Sequence, residues 1–169
     1  MNTLAFIPAR SGSKGVIDKN IRNLNGIPLL AYSVHIAQLC LKQGIFSDVL
    51  VSTDSMQYLQ KIKKTGYTKE YIRPKELAQD ESPTIDAIIH AINDYAKKNI
   101  FFDNVMILQP TSPFRCIQDI KKSIQILQTN PLTSCVASVF KLGDHHPRRI
   151  KLINKDGFLD DFCDEYKEP

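Results

Sequence analysis

No run in this 169-residue chain approaches the roughly 18 consecutive apolar residues of a membrane-spanning helix. The N-terminus also lacks the marks of a secretory leader. Met1-Asn2-Thr3 carries no cation, and Arg10 interrupts the only short apolar run there. The expected compartment is the cytoplasm, and no membrane partner is expected. Cysteine is sparse and scattered: Cys40, Cys116, Cys135 and Cys163 form no C-x-x-C pair. That spacing argues against a zinc site and leaves reduced, mostly buried thiols as the simplest reading. The chain has no long basic run, although its formal charge is +4. A nucleic-acid partner is therefore not expected, and small anionic substrates account for the excess equally well. There is no internal repeat, low-complexity tract or linker. One domain with a substantial core is expected.

What is present is an alternation of apolar runs and helical patterns. Thr3–Ile7 and Asp48–Ser52 read as buried strands. Between them, Pro28 opens a helical segment with Leu30, Val34, Ala37 and Leu41 on one face, and Gly44 follows as a stop. Met56, Leu59 and Ile62 mark a short helix ended by Gly66, and Glu70–Ile72 reads as a brief strand. Ser82-Pro83 resembles an N-cap followed by proline at the first helical position, ahead of an apolar stripe of Ile85, Ile88, Ile89 and Ile92. Asn104–Leu108 is a further strand, closed by Pro110 and Pro113. Ile117, Ile120, Ile124 and Leu127 supply the next helix. Ser134–Phe140 and Arg149–Ile153 read as late strands, with Lys155-Asp156-Gly157 as a turn. Strands separated by helices imply an α/β fold, a mostly parallel sheet with helices on both faces. Such sheets bind ligands beyond the carboxyl ends of their strands.

The loop after the first strand is Arg10-Ser11-Gly12-Ser13-Lys14-Gly15, with Lys19 beyond it. Gly12 and Gly15 can take positive φ and let a ligand approach the backbone. Arg10 can fork a phosphate, and Lys14 can act as a point charge. The loop is neither a Walker A motif nor G-x-G-x-x-G. On pattern alone, a polyphosphate site and a solvated glycine turn with incidental cations both remain open.

With its neighbours, the loop resembles the N-terminal signature of acylneuraminate cytidylyltransferases. The matching stretch is I-P-A-R-S-G-S-K-G-V-I-D-K-N-I-R-N-L-N-G-I-P-L-L-A-Y-S at 7–33. V-S-T-D at 51–54, R-P-K-E-L-A-Q-D at 73–80 and L-Q-P-T-S-P-F-R at 108–115 agree with it, and H-H-P at 145–147 is a weaker match. The resemblance runs from residue 3 to about residue 153. It implies a Rossmann-like fold of the nucleotide-diphospho-sugar transferase type. The implied reaction is CTP plus a nine-carbon, sialic-acid-like 2-keto sugar giving CMP-sugar and pyrophosphate, with Mg²⁺. Catalysis in such a transfer is mainly positioning and charge stabilisation.

By the same resemblance, Arg10, Ser13 and Lys14 bind the triphosphate, and Lys19 sits at the α-phosphate; Arg10 and Lys19 are the catalytic pair. Asn20 and Arg73 bind the nucleoside. Thr84 lies either near the base or simply in the first turn of a helix. Gln109 and Arg149 are assigned to the sugar. Asp54 faces the nucleotide or, the preferred reading, Asp54 or Ser55 simply caps the following helix; Asp80 is equally open. His145 and His146, adjacent in sequence and without a third ligand, are not read as a metal site.

Family members continue past the point where this chain stops, and their Asp-x-Asp pair for Mg²⁺ has no match here. Asp160-Asp161 and Asp164-Glu165 fall too early. The expectation is a single nucleotidyltransferase domain over 1–169, shortened at its C-terminus, with no residue assigned to the metal and a homodimer expected only of full-length members. Two alternatives stand beside the main reading: a cytidylyltransferase for the eight-carbon Kdo sugar, and a non-catalytic CTP-binding domain.

Overall fold

The computed structural model describes residues 1–139 and 151–161. Its strands are β1 (Thr3–Pro8), β2 (Asn23–Leu24), β3 (Ile27–Pro28), β4 (Asp48–Ser52), β5 (Asn104–Ile107), β6 (Lys151–Ile153) and β7 (Leu159–Asp161). Its α-helices are α1 (Leu29–Lys42), α2 (Met56–Ile62), α3 (Thr84–Ala96) and α4 (Ile117–Thr129). A parallel sheet of order β4-β1-β5 organises them, while β2-β3 and β6-β7 are separate antiparallel pairs. This is the α/β architecture that the alternation of strands and helices implied, and the Rossmann-like type that the resemblance implied.

β1 is a near-continuous apolar run because it is buried on both faces. Successive strand residues point to opposite sides. Leu4 and Phe6 join Leu50 and the buried Ala87, Ile88, Ala91 and Tyr95 of α3. Ala5 and Ile7 join Val49 and Val51, with Leu30, Val34 and Ala37 of α1 and Leu59 and Ile62 of α2. The sheet is thus clad on both sides.

The connections fix where a ligand can sit. From central β1 the chain crosses by α1 to β4 on one side. It then crosses back, with α3 on the opposite face, to β5 on the other. Right-handed crossovers place helices on opposite faces when the strand order reverses. The reversal opens a crevice at the carboxyl ends of β1 and β5, from which the loops beginning at Ala9 and Leu108 emerge.

Several expectations change. Glu70–Ile72 is not a strand; only a single parallel bridge joins Ile72 to Thr53. Pro83, not Ser82, occupies the cap position of α3, and the Ser82 hydroxyl donates instead to the Glu76 carbonyl at 2.8 Å. In α3 the inward face is Ala87, Ile88, Ala91 and Tyr95, whereas Ile85 and Ile89 are exposed. Small alanines let the helix sit close to the sheet, which rotates those isoleucines outward. Leu41 is likewise exposed, and Cys40 takes the buried place in α1. In α4 only Ile120 is fully buried. Residues 134–139 form no strand. Among the described cysteines Cys40 alone is buried; Cys116 and Cys135 are exposed, against the expectation of mostly buried thiols. The turn at Lys155-Asp156-Gly157 is present, with Gly157 at φ +84°. Among the described residues no helix is long and apolar enough to cross a membrane.

Candidate functional site

The loop leaves β1 at its carboxyl end, and Ala9 N–H still donates to Ser52 O of β4 at 2.9 Å. Gly12 turns the chain at φ +70°, a left-handed conformation that favours glycine. Gly15 does not take positive φ, so only one of the two glycines is needed for its backbone. Ser13 is buried and Lys14 extends into solvent.

Two acidic residues brace this loop. Asp54, two residues past the end of β4, accepts from Ser11 twice: from its backbone N–H at 2.7 Å and from its hydroxyl at 2.5 Å. Asp54 is therefore not a helix cap; Ser55 holds the cap position of α2 without a side-chain bond. Desolvation pushes the Asp54 carboxyl up, but the two Ser11 bonds and the nearby Arg73 cation outweigh it and hold it below the usual carboxylate range. Asp80 bridges the two loop cations. Its Oδ1 lies 2.5 Å from Arg10 Nη2, and its Oδ2 lies 2.5 Å from Lys14 Nζ. Lys14 and Arg10 together lower its pKa.

Arg73 is the most unusual group. Its side chain is charged, yet the residue is only 4% exposed. Its backbone N–H is anchored to Thr53 O at 2.8 Å, which ties it to the carboxyl end of β4. Its Nε and Nη2 have no hydrogen-bond partner among the described residues. Burial pushes its pKa down, Asp54 and Tyr71 oppose that, and Arg10 adds to it. Its anchor, Thr53, directly precedes Asp54, the residue that holds the loop through Ser11. A buried cation with idle donors is costly unless something completes its bonds.

Asn20 is buried and donates through Nδ2 to Arg10 O at 3.0 Å, so it binds the first arm of the loop back onto the second. Lys19 and Asn20 lie on a 3-10 turn, Lys19–Ile21, entered through Asp18 at φ +52°. The buried Tyr58 of α2 donates its hydroxyl to Asp18 Oδ1 at 3.0 Å. Burial, then Asp18, raises the Tyr58 pKa, which keeps that proton in place. Lys19 itself makes no ion pair among the described residues.

The remaining residues are less tightly placed. Thr84 is exposed at the start of α3, and Gln109 is exposed just past β5. The Gln109 backbone is held by Arg115, whose Nη2 donates to its carbonyl at 2.5 Å while Nη1 reaches the Ser33 hydroxyl of α1 at 3.0 Å. Arg149, His145 and His146 lie outside the described residues. Cavities of about 740 and 670 Å³ open beside α1, but neither is lined by Arg10, Lys14, Lys19 or Arg73. The loop stands out by charge and idle donors rather than by hollow volume.

Sequence reasoning missed Tyr58, Asp18 and Arg115, and it misjudged Asp54. Asp18 and Arg115 lie inside the matching stretches 7–33 and 108–115, but nothing in the sequence pairs Asp18 with Tyr58, 40 positions away, or Arg115 with Ser33, 82 positions away. Asp80, whose role the sequence left open, closes the R-P-K-E-L-A-Q-D block that contains Arg73 and pairs with Arg10 and Lys14.

A family model described as Cytidylyltransferase matches residues 4–149. The chain belongs to the cytidylyltransferase family. It is 38% identical over 126 residues to the CMP-N,N'-diacetyllegionaminic acid synthase of Legionella pneumophila, covering 75% of this chain and 53% of that protein. It is 40% identical over 136 residues to the N-acylneuraminate cytidylyltransferase of Escherichia coli, covering 80% of this chain and 30% of that protein. This cytidylyltransferase chain therefore spans from about a third to half the length of those relatives. Among solved structures, CMP:2-keto-3-deoxy-manno-octonic acid synthetase in complex with CTP resembles it with a TM-score of 0.61 at 20% identity, over 78% of this chain and 49% of that one. At that identity the likeness shows the fold alone.

Proposed function

We propose that this chain is a nucleotidyltransferase domain that binds CTP and serves the transfer of CMP to a nine-carbon, sialic-acid-like 2-keto sugar, releasing pyrophosphate. The observation that carries the proposal is a loop after β1 whose Arg10 and Lys14 share one carboxylate, together with a buried Arg73 anchored just past β4 with two idle donors. Its support is the 7–33 signature and the kinship to enzymes named for N-acylneuraminate and N,N'-diacetyllegionaminic acid.

In this reading the polyphosphate lies on Arg10, Ser13 and Lys14. Lys19 faces the α-phosphate, where charge grows as the anomeric hydroxyl oxygen of the sugar attacks phosphorus and the bond to pyrophosphate breaks. Arg73 gives its donors to acceptors on the cytosine, with Asn20 and Thr84 on the nucleoside side. Gln109, on the far wall of the crevice, and Arg149 take the sugar and its carboxylate. Asp54 and Tyr58 hold the loop so that these cations are placed before the substrate arrives.

The resemblance also implies Mg²⁺. The described residues do not fit a carboxylate-held metal. Among them no group of three or more His, Cys, Asp or Glu side chains could hold an ion. Both Asp54 oxygens accept from Ser11, and both Asp80 oxygens face cations. No step is assigned to the ion here.

A nucleotide panel tests the reading. CTP at a hundredfold excess over its dissociation constant should stabilise the fold by about 2.7 kcal/mol, read as a rise in melting temperature. Pyrophosphate release should then require CTP together with the nine-carbon sugar. If ATP or UTP stabilises the chain as well as CTP, the reading fails. Offering the eight-carbon Kdo sugar in parallel separates the two branches.

A further inference from the structure

We infer that Asp80 is a resident competitor for the phosphate subsite: its carboxylate occupies the place between Arg10 and Lys14 that the substrate's phosphates take, and it must leave when they arrive. The inference deepens the CTP-binding reading and rests on it.

The geometry supports displacement. A carboxylate presenting one oxygen to a guanidinium and the other to an ammonium, each at 2.5 Å, copies two adjacent oxygens of a phosphate. Nothing else holds Asp80 in place: no hydrogen bond to it from a backbone N–H or hydroxyl is present among the described residues. Its side chain keeps 30% exposure, and Lys14 keeps 82%. Ion pairs so open to water contribute little and exchange readily. Asp80 also lies outside the sheet and the α-helices. It follows the short 3-10 helix Lys75–Ala78 and precedes α3, and residues 79 to 82 are exposed or half-buried.

Asp54 shows the contrast. It too is a carboxylate at this loop, but it accepts a backbone N–H and a hydroxyl and is half-buried. It is a brace, and Asp80 is a latch. A latch of this kind sets a threshold. A ligand must bring more charge to the two cations than one carboxylate does, which favours a polyphosphate over weakly charged solutes. After transfer, the returning carboxylate helps expel pyrophosphate from the same two cations.

The test is calorimetry with inorganic pyrophosphate, CTP and cytidine in EDTA, on the wild-type chain, Asp80→Asn and Asp80→Ala. Removing the competing charge should tighten pyrophosphate and CTP by the same factor, about two- to fivefold. Cytidine, which has no phosphate, should bind each protein equally. Product inhibition by pyrophosphate should deepen in both variants. Two variants and a melting curve for each guard against a folding defect, since loss of structure weakens all three ligands together. Pyrophosphate bound no more tightly, or less tightly, by either folded variant overturns the competitor role. If the wild type then still prefers CTP over ATP, the cytidylyltransferase reading survives that loss. If instead pyrophosphate tightens but no CTP preference exists, the latch stands and that reading falls.

Discussion

Replacing Asp54 with asparagine would isolate the charge that braces the loop, because the side chain keeps its shape. Asp54 accepts two hydrogen bonds from Ser11, at 2.7 and 2.5 Å. Hydrogen bonds to a charged acceptor contribute about 1.5–3 kcal/mol and neutral ones about 0.5–1.5, so neutralising the acceptor of both bonds would cost roughly 2–3 kcal/mol if fully buried. Asp54 is only half-buried, and solvent screening reduces that to about 1–1.5 kcal/mol. For a chain of this size, each kcal/mol lowers the melting temperature by about 2–4 °C. Asp54→Asn should therefore melt about 2–6 °C lower at pH 7. The pH dependence carries the sharper test. The carboxyl is held below its ordinary value of 3.8, so its stabilisation is present above that pH and is lost as pH falls through the lower, folded value. The gap between wild type and variant should be full at pH 6 and close once the medium is acid enough to protonate Asp54 in the folded protein. The assay is thermal unfolding by circular dichroism across that range. Equal melting temperatures at pH 7, or a gap that persists unchanged into strong acid, would refute the brace.

The other predictions concern groups around the same loop. Arg73→Met removes a buried charge with two unpartnered donors. It should leave the melting temperature unchanged or slightly raised while weakening CTP at least tenfold by calorimetry, because burying a cation with idle donors costs the apo fold about as much as its attraction to Asp54 returns. Lower stability with unchanged CTP affinity would count against that role. Tyr58→Phe deletes the hydroxyl that holds Asp18 at the entry to the Lys19 turn. Turnover should fall severalfold with little change in KM for CTP, since the loss is one of positioning at the α-phosphate rather than of binding; an equal rise in KM would place its effect on binding instead.

Much of this was legible in the sequence because it rests on local periodicity. The unbroken apolar character of Thr3–Ile7 and Asp48–Ser52 announced buried parallel strands, and β1 and β4 begin where that reading put them. The cations of the loop were visible as residues, and R-P-K-E-L-A-Q-D was visible as a block. Which isoleucines of α3 face inward was not, because that depends on how closely Ala87 and Ala91 let the helix approach Leu4 and Phe6. The two bonds from Ser11 to Asp54 and the bridging of Arg10 and Lys14 by Asp80 join residues 43 to 70 positions apart, and the burial of Arg73 is likewise a product of folding. A linear pattern fixes which charges a chain owns and which faces its elements offer. Only folding decides which charges meet, because Coulomb forces and hydrogen bonds act over a few ångströms of space, and the crossovers around β1 alone set those distances.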